Sequence, residues 1–220
     1  MDGTLLHVRD EHHRSVQIVM RRIWGIDSEA VEVRPDGLSQ VEYMRRVCRA
    51  AAVPEPQIAA HIDRAIGELP GAMVALLPAD LSRRVLPGAL TLLECVDGLG
   101  IPRALVTGSL GLTVDVLLER SGLARFFPVR ACGHERDQRV DLIALAIERA
   151  AAHYSLNPDD LRLVALGDAP PDISAGRACG ARVVSVASGD FDRAALAAHG
   201  PDVLLDDLTD TGAALAALLD

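Results

Sequence analysis

From Leu99 onward, short apolar runs alternate with helical stretches, and this alternation constrains the fold more than any other feature of the chain. Ile101–Val106 (IPRALV), Leu161–Leu166 (LRLVAL), Arg182–Val186 (RVVSV) and Asp202–Leu205 (DVLL) read as strands, and Pro128–Cys132 as a weaker one. Leu110–Ser121 reads as a helix stopped by Gly122, and Asp172–Cys179 as a short helix stopped by Gly180. Val140–His153 places Leu142, Leu145, Ala146 and Arg149 at helical spacing. Runs of Val and Leu without polar alternation suit strands buried on both faces. They predict an α/β core built on a doubly wound parallel sheet, Rossmann-like in layout.

The stretch from Val8 to Arg84 breaks this rhythm. Helical patterns cover His12–Trp24, Ser39–Ala52 and Glu55–Leu69, with no convincing strand. Arg34–Leu38 (RPDGL) and Leu69-Pro70-Gly71 punctuate it, and Pro87-Gly88 restarts the strand–helix rhythm. The expected organisation is a core of residues 1–7 and 85–220 with an α-helical cap, residues 8–84, inserted after the first strand-loop.

Half of the 220 residues are apolar and only 3% aromatic, which suits helices laid on a sheet better than a sandwich of sheets. A net charge of −9 argues against a nucleic-acid surface, which needs a basic stripe. Every basic residue is Arg, and there is no Lys. Cys48, Cys95, Cys132 and Cys179 form no C-x-x-C pair and read as buried thiols of a reducing compartment. No apolar run reaches the ~18 residues of a membrane span. A cytoplasmic protein with no membrane or nucleic-acid partner is expected.

In an open parallel sheet, ligands bind beyond the carboxyl ends of the strands. The polar residues that close the apolar runs are therefore the candidates: Thr107-Gly108-Ser109, Gly167-Asp168 with Asp172, and Asp2-Gly3-Thr4 at the start of the chain. Carboxylates from separate strands make a hard oxygen site suited to Mg²⁺. A hydroxyl and a glycine N–H at a helix start suit a phosphate oxygen, and a nearby cation would neutralise the remaining charge. Phosphoryl transfer asks for these parts. Taken singly, Asp2 could be a solvated terminal residue, Thr107 a helix cap, Asp168 and Asp172 turn and cap residues, and Arg139 a solvated helix-face residue.

Together and in order, these segments resemble the haloacid dehalogenase (HAD) superfamily, in its phosphoglycolate-phosphatase-like branch with a helical cap. Met1-Asp2-Gly3-Thr4-Leu5 matches the opening D-x-D-G-T-L from its second position onward. Leu105-Val106-Thr107-Gly108-Ser109 matches the second motif, and Leu166-Gly167-Asp168-Ala169-Pro170-Pro171-Asp172 the G-D-x-x-x-D of the fourth. The resemblance implies a Mg²⁺-dependent hydrolase of a small phosphorylated metabolite, acting through an aspartyl-phosphate. It implies that Asp2 is the general acid/base and lends its backbone carbonyl to the metal. Thr107, with Gly108 and Ser109, would hold the phosphoryl group. Asp168 would ligate the metal, and Asp172 would support that site directly or through water. The third motif normally offers Lys; here Arg139 takes that role, with Arg136 as its rival.

In the family, the nucleophilic Asp stands two residues before the position of Asp2, at the end of a central strand. The simplest expectation is that Met1 is an internal methionine and that the full product begins a strand's length upstream. As written, the chain is expected to be inactive, with two strands lacking a neighbour, at a cost of about 1–3 kcal/mol for each buried unpaired group. A non-enzymatic relative that binds metal or phosphate stays open as an alternative, as do a phosphomutase and a dehalogenase. The histidines form no constellation and read as surface or cap-lining residues, and Trp24 and Tyr43 as cap core.

Overall fold

The computed structural model describes residues 1–33 and 37–220. Arg34, Pro35 and Asp36, part of the expected break at 34–38, lie outside the described residues.

The chain first builds three helices, α1 (Arg9–Trp24), α2 (Gln40–Ala50) and α3 (Glu55–Leu76). Acidic Asp10 and Glu11 open α1, Arg21 and Arg22 close it, and Gly25 ends it in a left-handed conformation. Ser39 caps α2 by accepting the Glu42 N–H at 3.1 Å. Their apolar stripes meet in one cluster that includes Val19, Met20, Met44, Val47, Ile58, Ile62 and Leu69. This is the helical cap.

The third helix runs past the expected stop at Leu69. Pro70 sits inside it, where it forfeits one backbone hydrogen bond, and the helix continues through seven more positions' worth of sequence to Leu76. Burial explains the continuation. Pro70 and Met73 are buried, and Met73 with Leu77 joins the core cluster of Leu81, Leu117 and Leu118. One helix thus serves two hydrophobic clusters.

The core follows as α4 (Ala89–Gly98), β1 (Leu105–Thr107), α5 (Gly111–Ser121), β2 (Arg130–Cys132), α6 (Arg139–Tyr154), β3 (Val164–Gly167), α7 (Pro170–Ala178), β4 (Arg182–Val186), α8 (Arg193–Ala197), β5 (Val203–Leu205) and α9 (Thr211–Leu219). All strand pairs are parallel, as the apolar runs predict. Several strands are shorter than their apolar runs, because a strand is defined by its partners as well as its side chains. Cap and core are joined where two segments cross: Leu6 bridges Val85, and the His7 N–H donates to the Arg84 carbonyl at 2.9 Å.

The expected single sheet is divided. Among the described residues, β1 pairs with β2, and β3 pairs with β4 and β4 with β5, but β1 and β3 share no ladder. Between them lies an apolar slot of about 410 Å³, walled by Leu105 and Val106 on one side and by Val164, Ala165 and Leu166 on the other. Met1, Thr4 and Leu5 also line it.

Candidate active site

The carboxyl ends of β1 and β3 and the opening turn of the chain converge on one cleft of about 180 Å³ under the cap. Its lining includes Asp2, Thr107, Gly108, Ser109, Arg139, Asp168 and Asp172. Arg136 is absent from it: it is exposed and donates to the carbonyl of Glu135.

The opening turn is wound tightly. Leu5 and Leu6 donate to the Met1 carbonyl, and Gly3 donates to the Leu6 carbonyl. Gly3 has φ +76°, and a Cβ there would stand 2.1 Å from Asp168 Oδ2. Glycine is required on both counts. Asp2 is aimed by its own loop, because its Oδ1 accepts the Val8 N–H at 2.9 Å.

Asp168 follows the last residue of β3 and is wedged under this turn. Its Oδ1 accepts the Thr4 hydroxyl at 2.6 Å, while Gly189 leaves Oδ2 no room for a side chain on its other flank. Burial pushes the Asp168 carboxyl above its ordinary range; the Met1 ammonium opposes this, Asp172 adds to it, the Thr4 hydroxyl opposes it and Asp2 adds to it.

Asp172 lies in the first turn of α7. One oxygen accepts the Ala169 N–H at 3.1 Å, and the other pairs with Arg139 Nε at 2.7 Å. Arg139 opens α6 from across the cleft. Both side chains are largely buried, so the ion pair is held in place. The pairing has a consequence for the expected metal set of Asp2, Asp168 and Asp172. Among the described residues, no group of three His, Cys, Asp or Glu side chains is gathered to hold a metal, and Asp172 is turned to the guanidinium. Asp168, a half-buried carboxylate to which Asp172 and Asp2 add like charge, still suits Mg²⁺, which usually takes one or two carboxylates plus water or phosphate oxygens.

The loop after β1 is built for close backbone approach. Thr107 Oγ1 accepts the Ser109 N–H at 3.2 Å, and both residues are buried. A Cβ on Gly108 would meet the Leu38 carbonyl oxygen at 2.7 Å, and one on Gly133 would meet the Gly108 carbonyl oxygen at 2.0 Å. Such a loop, at the start of α5, can present amide and hydroxyl donors to an anion.

The cap supplies residues that the sequence motifs did not mark: Arg9, His12, Gln40 and Tyr43 line the cleft, and Arg9 pairs with Asp190 of the core. His12 is cap-lining as expected. Burial holds its pKa below the ordinary value, against the opposing pull of Asp2. Tyr43 both packs on the cap cluster and borders the cleft, whereas Trp24 is part of the cap packing. All four cysteines are free, with Cys48 and Cys132 buried.

This constellation of strand-end carboxylates, hydroxyl loop and helical cap defines a class, and the chain belongs to it: the sequence profile of the haloacid dehalogenase-like hydrolases matches residues 1–180. No curated protein matches the chain. Among solved structures, β-phosphoglucomutase from Clostridium difficile superposes with a TM-score of 0.71 at 16% identity, covering 95% of this chain and 89% of that one. A predicted phosphoglycolate phosphatase from Haemophilus somnus 129PT gives 0.68 at 19% identity, with 97% and 94% covered. CbbY from Rhodobacter sphaeroides in complex with phosphate gives 0.67 at 24%, with 96% and 93% covered. These likenesses establish the fold with its cap. No helix among the described residues is long and apolar enough to cross a membrane.

Proposed function

We propose that the cleft hydrolyses a small phosphomonoester. The observation that carries this reading is the meeting, in one cleft, of an anion-ready loop at Thr107–Ser109, the fixed guanidinium of Arg139, and the carboxylates of Asp2 and Asp168. The phosphoryl group rests on the Thr107 hydroxyl, beside the close-approach backbone at Gly108. Arg139, held by Asp172, offsets its charge. Asp2, oriented by the Val8 N–H, protonates the leaving oxygen and then takes a proton from the attacking water. Asp168 and the Asp2 carbonyl would hold Mg²⁺, whose charge would stabilise the transferring group. The family resemblance would put the attacking carboxylate two residues before the position of Asp2, on a strand for which the slot between β1 and β3 would offer apolar walls. Residues 8–84 form the cap that closes over the substrate, and the cytoplasm is the setting this chemistry fits.

The test is a phosphate-release assay with p-nitrophenyl phosphate and Mg²⁺. The chain as written is compared with one extended by an apolar strand ending in Asp immediately before Met1. Turnover by the extended chain, lost when that Asp becomes Asn, supports the reading. Equal turnover by the unextended chain overturns the role given to Asp2. Arg139→Ala in the extended chain should abolish most of the activity, and Arg139→Lys should retain part of it.

A further inference from the structure

The first residue of α2 makes three hydrogen bonds that reach beyond its own helix. The Gln40 backbone N–H donates to the Gly108 carbonyl at 2.9 Å. Its side-chain Oε1 accepts the Leu110 N–H at 3.1 Å, and its Nε2 lies 3.0 Å from His12 Nδ1. One cap residue therefore grips both ends of the loop that follows β1 and also touches a ring that lines the cleft.

These bonds determine one another. Leu110 stands just before α5, where its N–H has no acceptor within the helix. A backbone N–H can only donate, so it requires the oxygen of the Gln40 amide rather than the nitrogen. That requirement settles which way the amide faces, and its NH₂ group must then point at His12. A donor pointing at Nδ1 needs a lone pair there. The proton of the neutral ring is left on Nε2, and burial favours the neutral ring.

We infer that Gln40 is a positioning residue: it ties the Thr107–Leu110 loop to the cap and, through its side-chain amide, fixes His12 as an Nε2–H donor on the wall of the cleft. Without Gln40 the loop would lose two hydrogen bonds and the ring the partner that sets its tautomer. A residue 70 positions from Leu110 in sequence thus couples loop geometry and donor placement to one contact between cap and loop. The inference does not depend on the chemistry proposed for the cleft.

Nitrogen-15 NMR of the full chain tests it. Long-range imidazole correlations should show His12 protonated at Nε2 and bare at Nδ1. Gln40→Glu keeps an acceptor for Leu110 but replaces the donor facing His12 with an acceptor, so a proton should appear at Nδ1. Gln40→Ala should speed hydrogen exchange at the Leu110 amide roughly five-fold, the loss of one modest hydrogen bond, and leave the Val183 and Val184 amides of β4 unchanged. A general loss of packing would move the β4 amides as well, and would not move the proton from one ring nitrogen to the other. Wild-type His12 protonated at Nδ1, an unmoved tautomer in Gln40→Glu, or unaltered Leu110 exchange in Gln40→Ala would each overturn the inference.

Discussion

The cap and the sheet treat their backbones differently. The cap is built mostly on itself: α1, α2 and α3 make most of their backbone hydrogen bonds along their own helices and bury Met20, Met44 and Val47 completely. The sheet depends on neighbours, and its strands show it. In β4, paired on both sides, Val183, Val184 and Val186 are 0% exposed, whereas Val164 of β3, beside the slot, is 37% exposed. Helices complete themselves along the chain; a strand is complete only when chains lie on both of its edges.

The largest expected effect tests that contrast directly. Filling the slot with an apolar extension that runs into Met1 should raise the melting temperature clearly and raise turnover above that of the unextended chain. The same extension with Asn in place of the attacking Asp should keep the stability and lose the turnover. Unchanged melting would mean that the two halves of the sheet need no strand between them.

Next in size is a pair of substitutions, one from each region. Met44→Ala opens the cap cluster and should cost about 2–5 kcal/mol in denaturant unfolding. Val164→Thr at the slot should stay within about 0.5 kcal/mol, as for a surface position. Similar costs at the two sites would abolish the distinction between them.

The smallest effect concerns the other half of the sheet. Glu135 accepts the Cys132 N–H at the end of β2 and pairs with Arg149 of α6. The hydrogen bonds from Arg149 hold the Glu135 carboxyl below its ordinary range. A carboxylate with a lowered folded pKa contributes stability above its unfolded value, and that stability is lost as pH falls through the folded one. Glu135→Gln should therefore melt slightly lower at pH 7, with the deficit vanishing in acid. A deficit that grew in acid would reverse the assigned sign.

Much of this architecture was legible in the sequence. The apolar runs and the glycine stops at Gly122 and Gly180 located strands and helices to within a few residues, since both are local signals. The strand-end motifs named several residues on the core side of the cleft, because in a parallel sheet those ends face one way. The path of α3 past Pro70 was not legible: its stop signal is local, while the burial of Met73 that overrides it is tertiary. The Arg139–Asp172 pairing was equally hidden, since each residue has a separate role in its own motif. Gln40 and His12 carry no motif at all, and their importance arises only when the cap meets the loop after β1.

The sharing of α3 between the two hydrophobic clusters bears on how the molecule melts. A helix anchored by Ile58 and Ile62 at one end and by Met73 at the other cannot unravel in the cap without disturbing the core. Cap and core should therefore denature in one calorimetric transition with matching calorimetric and van't Hoff enthalpies, although their sequences read as two separate bodies.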